Sequence, residues 1–198
     1  MRTLAVLALC ATAMFGGQTA CAQRNPEHGA SGGFLVQSDL EFGGDTVATV
    51  AFEDGDTQDV HAGQGISLGI GGYVRPSDRV PIEISGVLGF KYVTTAADNA
   101  DINLSRTVLK LNATYWFEKG WFVTAGLTQH LSPTLDGDDF FEDVSFDDAT
   151  GFSAEVGWRW IALRYTKIDY SLPGFEDTDA SSVGLSFTWR FGGHRGGY

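Results

Sequence analysis

Cysteine, proline and lysine are scarce in this chain, and no long apolar run occurs beyond its first residues. Both cysteines, Cys10 and Cys21, lie near the N-terminus. Removal of that segment leaves no disulfide framework and no thiol chemistry. A membrane-crossing helix needs about 20 consecutive apolar residues, so the body of the chain has none. No long amphipathic helix is present either. Basic residues number 13 against 25 acidic ones, for a net charge of −12. Phosphate contacts need clustered Lys and Arg, so nucleic acid is not an expected partner. There is no phosphate-binding glycine loop, zinc motif or dinucleotide fingerprint, and no cofactor is expected.

Glycine and aromatic residues are plentiful instead. Residues 1–22 read as a secretory signal. Arg2 gives a short positive start, Leu4 to Phe15 an apolar core, and Ala20-Cys21-Ala22 an A-x-A cleavage site. Gln18 stands where lipoproteins usually carry leucine, so Cys21 is not expected to be acylated. Residues 23–32 are polar, with Pro26, Gly29 and Gly32, and read as a flexible periplasmic lead-in.

From Gly33 onward, residues alternate between apolar and polar. The closing stretch, Ser181–Phe191, shows it most strictly. Val183, Leu185, Phe187, Trp189 and Phe191 share one face, while Ser182, Gly184, Ser186, Thr188 and Arg190 share the other. The same period marks strands at Gly33–Phe42, Gly65–Arg75, Val80–Val93, Ile102–Phe117, Trp121–Ser132, Gly151–Trp160 and Ile161–Tyr170. The last of these changes phase near Lys167, where a bulge is expected. Connections alternate: long or polar after the odd strands, tight after the even ones. Gly43–Gly63 is long enough for a hairpin above the wall, or for two further strands that would make ten. Pro133–Ala149 reads as a long acidic loop.

Even strand number, strand length and loop asymmetry point to an all-β fold: a closed antiparallel transmembrane barrel of about eight strands over residues 33–191, with a tail at 192–198. The long loops then face the outside of a Gram-negative cell and the tight turns face the periplasm. A soluble, lipocalin-like periplasmic barrel would reverse the faces. Two features favour the membrane. Aromatics gather at strand ends on the apolar face: Phe34, Phe42, Tyr92, Tyr115, Phe117, Trp121, Trp158, Trp160, Trp189 and Phe191. Charges of both signs sit on the polar face: Asp39, Glu41, Glu83, Lys91, Arg106, Lys110, Glu155, Arg159, Arg164 and Arg190. In a narrow barrel these must pair, which implies a plugged lumen bridged by salt links.

The signal, the alternation and the closing Phe187-Thr188-Trp189-Arg190-Phe191 resemble the small bacterial outer-membrane barrel superfamily that includes OmpA and OmpX. That resemblance implies a monomer in contact with outer-membrane lipid and lipopolysaccharide, inserted by the barrel assembly machinery. The machinery recognises a terminal aromatic residue in that superfamily. Here Phe191 is followed by a seven-residue tail ending in Tyr198.

Two constellations bear on chemistry. His130-Leu131-Ser132 places a histidine and a serine on one face of a strand, with Glu142 in the next loop. These are the parts of a hydrolytic triad, and His-x-Ser resembles the motif of the PagL family of lipid A deacylases. The resemblance implies esterase chemistry at His130 and Ser132. In that family the motif lies near the chain end and faces lipid. Here two strand pairs follow it, and parity turns both residues inward. The acidic loop, with Asp136, Asp138 and Asp139, has the oxygen ligands that Ca²⁺ takes, without the spacing of an EF-hand. A structural or surface-interaction role is the first expectation, and lipid A hydrolysis the alternative.

Overall fold

The computed structural model describes residues 30–51, 57–77, 79–94, 102–137, 142–171 and 176–192. The expected signal peptide, residues 23–29 of the lead-in, residues 193–198 of the tail, Asp138 and Asp139 lie outside them. Eight strands build the wall: β1 (Ser31–Phe42), β2 (Gly65–Arg75), β3 (Ile82–Thr94), β4 (Asn103–Trp116), β5 (Trp121–Asp136), β6 (Ala149–Trp158), β7 (Ile161–Lys167) and β8 (Ser182–Gly192). Each pairs antiparallel with its sequence neighbours. β8 returns to β1 in unbroken register from Gly33↔Gly192 to Phe42↔Val183, which closes the barrel. Closure removes every sheet edge, so backbone donors and acceptors of the wall are paired, as hydrocarbon requires.

The ten-strand alternative is settled by Thr46–Ala51 and Thr57–His61. They pair only with each other, as a hairpin outside the barrel sheet.

Alternation sets which residues face where. Along β1, Leu35, Gln37, Asp39 and Glu41 are buried, while Phe34, Leu40 and Phe42 are exposed. The same holds around the wall. Ile66, Leu68, Ile70, Leu88, Leu111, Leu127, Phe152 and Leu163 project outward, each more than half exposed. Ser67, Glu83, Lys91, Lys110, Thr124 and Ser153 project inward. Small residues let the interior pack. A Cβ on Gly69 would sit 2.8 Å from Val87 Cγ1, so the glycine makes room for the one bulky aliphatic that β3 points inward at mid-strand. A Cβ on Gly157 would sit 2.4 Å from Phe122 Cζ.

At the long-loop end the pattern inverts. Val60, Val93, Ile102, Leu104 and Leu135 form one buried cluster, and Ala62, Ala149, Ile168, Tyr170 and Ala180 another. Here apolar groups point inward and polar ones outward, the arrangement of a protein in water. This inversion corrects the bulge expected near Lys167. Arg164, Thr166, Ile168 and Tyr170 are all buried, so parity never slips. What changes is the surroundings: above the membrane belt the inward position becomes apolar. β7 ends at Lys167, and Asp169–Tyr170, expected as the end of that strand, pairs instead with Thr178–Asp179 outside the barrel sheet.

A bulge does occur, in β5. Between the pairs Ser105↔Thr134 and Thr107↔Leu131 the register jumps, and Ser132 adopts a positive φ of 48°. β5 therefore runs on to Asp136, four residues into the expected acidic loop, and pairs with Val144–Ser145.

Candidate functional site: the charged lumen

The inward face of the wall supplies a contiguous set of ionic and polar side chains. Asp39 on β1 meets Lys110 on β4 in an ion pair, accepts a 2.6 Å hydrogen bond from Ser67 Oγ on β2, and lies 3.7 Å from Arg164 Nε on β7. Arg164 in turn pairs with Glu155 on the adjacent β6. Glu41 takes Lys91 Nζ at 2.8 Å and accepts hydroxyls from Thr166 at 3.0 Å and Ser182 at 2.9 Å. Lys91 also donates to the Gly63 carbonyl at 2.7 Å. Gln37 ties the network to β8, donating to Ser186 and Thr188. Nearly all strands of the wall are thus cross-linked through the interior. A buried charge without a partner is costly, and the pairing offsets much of that cost.

At the tight-turn end, Glu83 is clamped by two cations. Arg190 Nε donates to its Oε1 at 2.7 Å, and Arg75 Nη2 to its Oε2 at 2.9 Å. Arg75 belongs to the network although only Glu83 and Arg190 were singled out from the sequence; its place on the polar parity of β2 was the available signal. Both guanidinium groups also lie over the Trp116 ring, at 5.8 Å for Arg75 and 4.9 Å for Arg190.

One expected lumen charge is misplaced. Arg159 sits in the Trp158–Ile161 turn with a positive φ of 59°, which swings its side chain out. It is exposed, and its guanidinium lies 5.1 Å from the Trp158 ring centre. Parity cannot be carried through a turn residue, so the assignment to the lumen is corrected. Arg106 is inside and fully buried, yet it has no ion-pair partner among the described residues. Its Nη2 donates to the Gln64 carbonyl at 2.7 Å, and its Nε and Nη1 make no hydrogen bond. The middle of the lumen holds four cations, Lys91, Arg106, Lys110 and Arg164, against three carboxylates, Asp39, Glu41 and Glu155, so Arg106 is the surplus charge.

The three triad candidates do not converge. His130 is buried, and its Nδ1 lies 2.6 Å from the Tyr170 hydroxyl. The bulge at Ser132 breaks parity, so Ser132 is exposed and not inward as expected. Its backbone N–H donates to Asp148 at 2.8 Å, and Glu142 lies exposed in the loop beyond. Of the cation-ligand candidates, Asp136 ends β5. Among the described residues no three His, Cys, Asp or Glu side chains are placed to hold a metal ion. Two loop acids hold backbone instead: Asp143 accepts from Gly137 N–H and Asp148 from Ser132 N–H. Beyond the belt, a hydrogen bond from Ser181 holds the Asp179 carboxyl below its usual range, and Lys167 adds to the effect. Lys167 Nζ pairs with Asp169 at 2.6 Å and with Asp179 at 3.3 Å.

On the outer face, all ten aromatics that the sequence assigned to strand ends are exposed. Phe34 stacks on Phe191 at 4.6 Å, and Trp160 on Trp189 at 6.5 Å, both at the tight-turn end. Phe42 and Tyr92, with the unassigned Phe90, Phe152 and Tyr165, ring the other end. An apolar band between two aromatic rings, around a closed sheet with an ionic interior, defines a membrane-spanning antiparallel β-barrel.

No protein-family model matches the chain, and comparison with curated proteins gives no match. Solved structures similar to it include Neisserial surface protein A, at 15% identity over 82% of this chain and 99% of that one, with a TM-score of 0.49. The attachment invasion locus protein Ail of Yersinia pestis is another, at 7% identity over 81% of this chain and 99% of that one, with a TM-score of 0.41. Barrel closure and the facing of the side chains are read from this chain's own register and burial.

Proposed function

We propose that this chain is an integral, monomeric protein of a Gram-negative outer membrane, with a plugged lumen and a structural or surface-contact role. The ionic network that fills the interior carries the reading. An eight-stranded barrel has an interior just wide enough to be filled by side chains, and here Asp39, Glu41, Lys91, Lys110, Glu155 and Arg164 occupy it. The apolar clusters around Leu104 and Ile168 stand above that network. A diffusion pore is therefore not expected.

The lipid-facing belt would meet outer-membrane lipid and, in the outer leaflet, lipopolysaccharide. Phe191, exposed at the end of β8, is the aromatic that the barrel assembly machinery would read. Contact with other surfaces falls to the acidic long loops. Support for the orientation comes from the tight turns, which share one end with both termini of the wall.

Fractionation with gels run unheated and boiled tests this reading. The expected result is a heat-dependent mobility shift confined to the outer-membrane fraction. A soluble protein without a shift would overturn it.

A further inference from the structure

We infer that the tight-turn rim carries a binding site for the phosphodiester headgroup of an inner-leaflet phospholipid, built by Arg159, Arg190 and the indoles between them. The site rests on the membrane-barrel reading above.

A cavity of about 280 Å³ opens at this rim, walled by Trp116, Arg159, Trp160, Thr188, Trp189 and Arg190. Its size falls just under the roughly 300 Å³ of the smallest drug-sized sites, enough for a headgroup and too small for a whole lipid. Two guanidinium groups line it, and no carboxylate does. Arg159 has no ion pair among the described residues. The positive-φ turn and the Trp158 ring hold it at the rim. Arg190 commits its Nε to Glu83, and its side chain remains partly exposed. A planar guanidinium matches a phosphate with two parallel hydrogen bonds.

Depth and charge agree. Trp160 and Trp189 are exposed on the outer face and stack within 13° of parallel, at the level where indoles meet headgroups. Trp116 and Arg190 reach the same cavity from the inward face, so it straddles the wall at its lower lip. Although the chain is strongly acidic, this end is basic. Among the described residues, Arg75, Arg79, Lys119, Arg159 and Arg190 lie there against Glu118 and the twice-paired Glu83, while acids such as Asp143, Asp147 and Asp148 lie at the opposite end. An anionic headgroup is therefore drawn to this rim and repelled from the other.

Native mass spectrometry of the full chain in detergent tests the site. The probes are phosphatidylglycerol and a diacylglycerol with identical acyl chains. The wild-type protein is expected to retain one phosphatidylglycerol at about tenfold lower concentration than the diacylglycerol, the size of one charge-assisted bidentate contact. Arg159→Gln should lose that preference, and Arg159→Lys should keep part of it. Equal retention of the two lipids by wild type, or an unchanged preference in Arg159→Gln, would overturn the site. Heat-shift gels on the same preparations separate the causes. A retained shift without lipid preference sinks only the headgroup site; a missing shift sinks the barrel reading and the site together.

Discussion

His130 and Ser132 are two residues apart on one strand, yet they face opposite sides of the wall. His130 points inward to the Tyr170 hydroxyl at 2.6 Å, and Ser132 is exposed beyond a register break. Ser132→Ala should therefore leave the cell's lipid A mass spectrum unchanged. Loss or gain of an acyl chain in that spectrum would restore the hydrolase reading.

Asp39 is shared by two lumen cations, Lys110 and Arg164, and accepts a hydrogen bond from Ser67. Asp39→Asn keeps the shape but leaves two buried cations short of charge. Removing one member of a buried ion pair costs about 3–5 kcal/mol, so the urea midpoint of the lipid-embedded protein should fall markedly. Ser38→Ala, on the opposite face of the same strand, is the control. Equal midpoints for the two variants would show that the lumen network does not hold the wall together.

The proposed plugged lumen predicts that purified protein in a planar bilayer gives no stepwise conductance. Steady channel openings from the wild type would contradict a plugged lumen.

The Asp179 carboxyl accepts a hydrogen bond from Ser181 N–H at 2.8 Å and faces Lys167 Nζ at 3.3 Å. Its folded pKa is depressed, so its contribution to loop order is present above the ordinary carboxylate value of about 4. That contribution is lost as pH falls through the lowered folded value. Amide exchange in residues 176–181 should quicken on acidification below pH ~4, and Asp179→Asn should abolish the pH dependence. Exchange that is independent of pH in the wild type, after correction for intrinsic rates, would refute the link. The group is too exposed to water for the effect to reach the barrel itself.

Strand number, facing and the aromatic rings were legible in the sequence because one physical rule, alternation, governs them all. That rule fails where its premises do. Ile168 and Tyr170 looked like a slipped phase because the reading assumed hydrocarbon along the whole strand; above the belt water replaces lipid, and the inward residue becomes the apolar one. Ser132 and Arg159 were misplaced because positive φ at a bulge and at a turn breaks the period locally. Individual ion pairs were not legible at all. Asp39 meets Lys110 only through barrel curvature and stagger, which set distances across the lumen that no strand's own sequence encodes. The surplus of Arg106 is likewise visible only once each partner has been placed.

The central claim is that the apolar outer face lies in a lipid bilayer. Ile70, 69% exposed and midway along β2, tests it directly. A nitroxide on Ile70→Cys, in reconstituted protein cut to residues 23–198 and thus free of Cys10 and Cys21, reports its surroundings by relaxation with oxygen and with a water-soluble nickel chelate. The expected result is strong relaxation by oxygen and little by nickel, with the reverse for a label at Asp177 in the loop. Strong nickel relaxation at Ile70 would place that face in water and contradict the membrane barrel.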